Sequence, residues 1–169
     1  MQITIELVMR TVLIGAGATL VMDAWAFVLR RLGIPTLSFA YLGRWLGHLP
    51  EGRWTHEHIA RATPVRGERI IGWCAHYAIG ITFAALLLAV FGLGWARSPS
   101  LLPALTVGVV TVLAPLFVLQ PALGAGIAST RTASPLASSL KSLATHTVFG
   151  LGLYLAALAT ASLVPTGRS

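Results

Sequence analysis

The sequence predicts an all-α fold, a polytopic membrane protein built as a bundle of four transmembrane helices. Two observations carry that expectation. The chain of 169 residues is 56% hydrophobic and only 10% charged, against about 25% charged in an ordinary soluble domain. It cannot cover a water-facing surface with charge. Its apolar residues also fall in four long runs, each enough to cross a hydrocarbon layer of roughly 30 Å. None of these runs alternates as a strand would. In lipid the backbone must satisfy its own N–H and C=O groups, which a helix does. Four spans and their connections use up the length, so a single integral domain over 1–169 is expected.

The first span covers about 7–30 and ends at Arg30-Arg31. Ala24-Trp25-Ala26 has the small-x-small pattern of a cleavage site. The weak basic start, Asp23, and the apolar run continuing through Phe27-Val28-Leu29 argue for an uncleaved helix. The second span covers about 70–95, closed by Arg97-Ser98-Pro99. The third covers about 101–121 and contains Pro115, which frees the Thr111 carbonyl and allows a kink. The fourth covers about 138–164, with an amphipathic start at Ser138, Ser139, Lys141 and Ser142. Between the first two spans lies an arginine-rich connection, 31–69. There Leu37, Tyr41, Trp45 and Leu49 follow i, i+4 spacing. That spacing predicts a short helix, either interfacial or a loop helix packed on the bundle.

Charge placement predicts orientation. The first and third connections, with their helix ends, hold nine Lys and Arg residues, and the opposite side holds Arg10, Arg97 and Arg168. By the positive-inside rule the nine are cytoplasmic and both termini are periplasmic. The net charge of +7 does not point to nucleic acid, because the arginines flank apolar runs. The expected partners are the bilayer, with anionic lipids at the arginine-rich connection, and a second copy of the chain.

Ionisable groups inside lipid are costly, so each needs an account. Asp23, His76 and His146 are the deep candidates, with Gln120 as a neutral fourth. Counted from the charged helix ends at 1.5 Å per residue, all lie within roughly 10 Å of one face. Gly15, Thr19 and Asp23 share a helix face, as do Gly72, His76 and Gly80, and Ser142, His146, Gly150 and Tyr154. Small neighbours admit either a closely packed helix or a ligand. The leading reading is a polar site handling a small solute, ion or proton. Asp23 and His146 are its proton or ligand groups, His76 their partner, and Gln120 and Tyr154 its hydrogen-bonding groups. One alternative is a structural or accessory subunit whose polar groups only pack helices. Another is a redox protein, with haem b between His76 and His146, or a transition metal on His76, His146 and Asp23. No cofactor is expected on the leading reading, and no catalytic constellation appears.

Weaker signals resolve to bland readings. His56-Glu57-His58 has no zincin pattern around it and reads as loop. Gly124-Ala125-Gly126 lacks the Lys-Ser/Thr of a phosphate loop and reads as a turn. Cys74 is the one cysteine and excludes an internal disulfide. His76-x-x-x-Gly80 and His146-x-x-x-Gly150, with the equal spacings Gly17 to Gly33 and Gly108 to Gly124, raise the possibility of two duplicated hairpins.

Several stretches carry a family resemblance. They are Gly15-Ala16-Gly17-Ala18-Thr19-Leu20-Val21-Met22-Asp23-Ala24-Trp25, Gly43-Arg44-Trp45-Leu46-Gly47-His48, and Pro64-Val65-Arg66-Gly67-Glu68-Arg69 with Gly72-Trp73 and Ala75-His76-Tyr77. Gln120-Pro121, Gly124-Ala125-Gly126, Thr145-His146 and Phe149 to Tyr154 complete the set. Together they resemble a family of small bacterial membrane proteins catalogued as domain of unknown function 2938, over nearly the whole chain. The resemblance implies a multi-pass protein of the bacterial inner membrane. It implies no activity, and no residue role is carried over from it.

Overall fold

The computed structural model describes residues 2–163. Val164 at the end of the fourth predicted span, and Arg168 with its charge, lie outside the described residues. The structure is all helical, with no strand among the described residues. In chain order it contains α1 (Gln2–Arg31), α2 (Phe39–His48), α3 (Glu68–Arg97), α4 (Leu101–Val110), α5 (Gln120–Leu123) and α6 (Pro135–Leu163). Four helical stretches are long and apolar enough to cross a membrane: α1, α3, the interrupted run Leu101–Leu123, and α6. The short helix α2 lies between the first two.

Two of the long stretches are broken, each for a local chemical reason. In α3 the helical dihedrals fail at Gly92, at φ 76° and ψ 170°, a conformation that a side chain rarely adopts and glycine takes freely. In the third stretch Pro115 has no N–H to offer the Thr111 carbonyl. That carbonyl accepts instead from Ala114 N at 3.1 Å, and Pro115–Leu119 continue as one wide π turn. The proline thus gives a local change of winding, with the freed carbonyl re-satisfied.

The chain forms two compact units. The described part of the first lies in 2–28, 77–110 and 145–163. Its core is small: Ala18, Ala84, Ala96, Ala104 and Ala157 are all fully buried beside Ile14, Leu87 and Leu153. Large apolar side chains on the same helices point outward, among them Val8, Leu20, Val90, Leu102 and Leu155. This is the pattern lipid favours, since small residues let helices approach and large ones meet acyl chains. The crossings show how close the approach is. A Cβ on Gly15 would stand 2.5 Å from the Ile81 Cα, and one on Gly80 would strike the Thr19 hydroxyl. A Cβ on Gly108 would strike Gly150 Cα, and one on Gly152 would come within 2.9 Å of Ala18 Cα. The α1/α3 and α4/α6 crossings therefore use one device. In each, the glycine four residues after a histidine lies against the other helix.

One end of this unit is fastened by buried charge. Arg10 is fully buried and Glu6 nearly so. The Arg10 Nε donates to Glu6 Oε1 at 2.9 Å, and its Nη1 donates to the Ala96 and Thr160 carbonyls at 3.1 and 3.2 Å. Arg97 donates to both Glu6 oxygens at 3.0 and 2.7 Å. A single guanidinium thus ties α1, α3 and α6. The charge count above treats Arg10 and Arg97 as flanking charges. In the structure they are two sides of one ion cluster around Glu6.

The second unit comprises 29–76 and 111–144. Here α2 docks on the start of α3 through two glycines. A Cβ on Gly43 would collide with the Glu68 carbonyl, and one on Gly72 with the Phe39 carbonyl. The short helix expected in this connection is present and packs on α3.

The Glu6 cluster yields a stability prediction. Removing one member leaves a buried cation without its counterion, whereas replacing a pair by apolar residues removes the desolvation cost as well. Glu6→Gln should destabilise the protein by roughly 3 kcal/mol or more, read by denaturant titration in detergent. The double variant Glu6→Leu/Arg10→Met should recover most of that loss.

Candidate functional site

Asp23 is carried on α1 two turns beyond the Gly15 crossing. Since α1 and α3 run antiparallel there, the residue it meets precedes Gly80. That residue is Tyr77, whose Oη donates to Asp23 Oδ2 at 3.0 Å. Both side chains are half-buried, so the carboxylate is neither sealed like Glu6 nor open. Nearby in sequence, Trp25 Nε1 is buried with no hydrogen-bond partner among the described residues. His146, in the same unit, is buried. Its ring lies 6.4 Å from Phe149, which in turn meets Phe83 edge-on at 6.1 Å. Tyr154 is half-buried and packs against the apolar core.

The other two predicted site residues belong to the second unit. His76 stacks on Phe39, with centroids 4.0 Å apart and planes 25° apart. Trp73 closes on both rings edge-on, at 4.7 Å from Phe39 and 6.0 Å from His76. The Gly43–Gly72 contact dictates this. It brings the first turn of α2 over α3 one turn before His76. Gln120 uses both ends of its amide: Nε2 donates to Ser142 Oγ at 3.1 Å, and Oε1 accepts from Ser129 Oγ at 2.9 Å. It binds α5, the following turn and α6 together. Ser129 is held at φ 62° and Ala128 at φ 48°, in the left-handed region that non-glycine residues seldom enter. Among the described residues no three His, Cys, Asp or Glu side chains gather as a metal site requires.

Three features escaped the sequence reading. Tyr77, beside the expected His76, lies at i−3 from Gly80 and so on the crossing face, where it meets Asp23. Arg44, counted as a flanking charge, is buried. Its Nε and Nη2 grip Glu68 with two bonds of 2.8 Å, and its Nη1 donates to the carbonyls of Ile59, Ala60 and Ala62 at 3.0 to 3.3 Å. The hydrogen-bonded Glu68 carboxylate raises the Arg44 pKa above its ordinary value, against the lowering effect of burial. This planar fork, beside buried Ile59, ties the connection 49–67 to Glu68. Finally, His48 Nδ1 and His56 Nε2 lie 2.9 Å apart. His56 N donates to the Ala122 carbonyl at 2.9 Å, so the His-Glu-His stretch is pinned against α5 instead of being free loop.

Helix length, the small-residue core and the half-buried carboxylate together define a polytopic membrane protein with a polar group inside its spans. The chain belongs to the family described as Protein of unknown function (DUF2938), whose model matches residues 12–160. No curated protein and no solved structure matches it. The family brings no activity with it, so function is argued from the residues.

The Arg44 fork has a direct consequence. Arg44→Ala should open the 49–67 connection, seen as faster tryptic cleavage after Arg53 and Arg61 in detergent. Arg44→Lys should restore little of the protection, because an ammonium cannot make the paired contact with Glu68 while reaching three carbonyls.

Proposed function

We propose that this is a bacterial inner-membrane protein that handles a proton, small ion or small solute at Asp23. The observation that carries the reading is the half-buried Asp23 carboxylate on an apolar membrane-length helix, held by the Tyr77 hydroxyl at 3.0 Å. Ionisable groups in such positions are costly and tend to mark pathways for ions or protons. Tyr77 suits the role because its hydroxyl both donates and accepts. It donates to the ionised carboxylate and, rotated, accepts from the protonated acid, so the pair persists through a proton cycle. His146, on α6 of the same unit, is a second ionisable side chain, buried there. The distribution of arginine supports a cytoplasmic 31–69 connection and periplasmic termini.

A structural or accessory role has support of its own. Gln120 uses both ends of its amide on Ser129 and Ser142, and His76 of α3 stacks on Phe39 of α2. Both are arrangements that hold helices.

Carbodiimide labelling separates the two, since the reagent attacks protonated carboxyl groups that it can reach. Asp23 should be modified, faster as pH falls, while sealed Glu6 stays unlabelled as an internal reference. In proteoliposomes under an imposed potential, Asp23→Asn should abolish protein-dependent proton movement with the fold retained. An Asp23 as inert as Glu6, or a variant that loses only thermal stability, would assign the pair to packing.

A further inference from the structure

The second unit carries more charge than its own contacts use. It holds nine basic and three acidic residues, whereas the described part of the first unit is balanced, with Arg10 and Arg97 against Glu6 and Asp23. Apart from the Arg30-Arg31 pair, where Arg30 donates to Thr36 Oγ1 at 3.1 Å, the structure sorts the remaining seven. Arg44 is consumed by Glu68, Arg53 pairs with Glu51 on the surface, and Lys141 donates to the Pro35 carbonyl. Arg61, Arg66, Arg69 and Arg131 are all exposed, and none has an acidic partner among the described residues.

Two of these four arginines stand beside exposed apolar side chains in the chain. Arg69 is followed by Ile70, which is 71% exposed. Arg131 lies between Ile127 and Leu136, exposed by 55% and 71%. The same mixture recurs at Leu32 after Arg30-Arg31 and at Trp54 after Arg53. Cation and apolar group side by side suit the boundary of a bilayer, where the apolar part enters the acyl region and the guanidinium meets phosphate. The positions agree with this. Arg69 opens α3 and Arg131 precedes α6, both membrane-length helices. Soluble nucleic acid would be met by a basic stripe with stacking aromatics. Here the companions are mostly aliphatic. Eight of the nine cations are arginine, whose fork matches phosphate oxygens in pairs.

We infer that Arg61, Arg66, Arg69 and Arg131 form a binding surface for the phosphate headgroups of anionic phospholipids. The surface is independent of the Asp23 site. It selects lipid by charge, while Ile70, Ile127 and Leu136 seat it in the interface. Arg44 takes no part, since its guanidinium is fully engaged within the protein.

The experiment is lipid retention by the purified full chain, measured by native mass spectrometry after incorporation into nanodiscs. One set contains phosphatidylcholine alone and the other phosphatidylcholine with phosphatidylglycerol. The wild type should retain phosphatidylglycerol by at least about tenfold over phosphatidylcholine at low salt, with the preference shrinking as salt rises. The quadruple variant Arg61→Gln/Arg66→Gln/Arg69→Gln/Arg131→Gln should retain the two equally. Each single variant should lose a part of the preference, which gives a readout if the quadruple variant fails to fold. Arg53→Gln, at an arginine already paired, should keep it. Equal retention of both lipids by the wild type, or full preference in all the arginine variants, would overturn the inference. So would equal competition by free glycerol phosphate, which would assign the arginines to a soluble anion.

Discussion

The close approach of backbones at glycine is the constraint on which the rest of this structure depends. In lipid there is no hydrophobic force to press one apolar helix on another, so packing must come from fit between surfaces. Gly15 against Gly80, Gly108 against Gly150, and Gly43 against Gly72 provide that fit in places where a single methyl group would not go. Each contact then fixes what lies a turn away. The first puts Tyr77 opposite Asp23, and the third lays Phe39 over His76. The positions of polar groups follow from the positions of glycines.

Polar satisfaction is the second half of the same physics. An unpaired polar group in hydrocarbon is expensive, and the charged side chains near helix ends are used with economy. Arg10 spreads one guanidinium over Glu6 and two carbonyls of other helices. Arg44 does the same for Glu68 and three carbonyls of the 49–67 connection. In both, one guanidinium joins several segments of its own unit. Asp23, half-buried where Glu6 is sealed, accepts from the Tyr77 hydroxyl, and it is the group on which function is argued.

The fold class was legible because hydropathy and length admit few alternatives in lipid. The short helix between the first two spans was legible from its i, i+4 pattern, but its docking was not. Gly43 and Gly72 have no visible relation until the two helices are laid together. Pro115 announced a disturbance and Gly92 did not, because a proline in a helix interior removes a backbone hydrogen bond whereas glycine is tolerated in many helices. The Glu6 cluster was missed because Glu6 and Arg10 are ordinary i, i+4 neighbours and Arg97 sits 87 positions further on. Nothing local distinguishes a buried ion pair from a solvated one. On α3 the sequence pointed to His76; that its neighbour Tyr77 reaches Asp23 depends on a helix rotation that sequence spacing does not resolve.

The central claim is that Asp23 is a working group and not a packing contact. Infrared difference spectroscopy of the protein in bilayers tests it most directly. The carboxyl band of protonated Asp23, identified by its loss in Asp23→Asn, should appear and vanish reversibly with pH while the fold is intact. It should move in frequency in Tyr77→Phe. A carboxyl group fixed in one protonation state throughout, with Tyr77→Phe altering only thermal stability, would contradict the account.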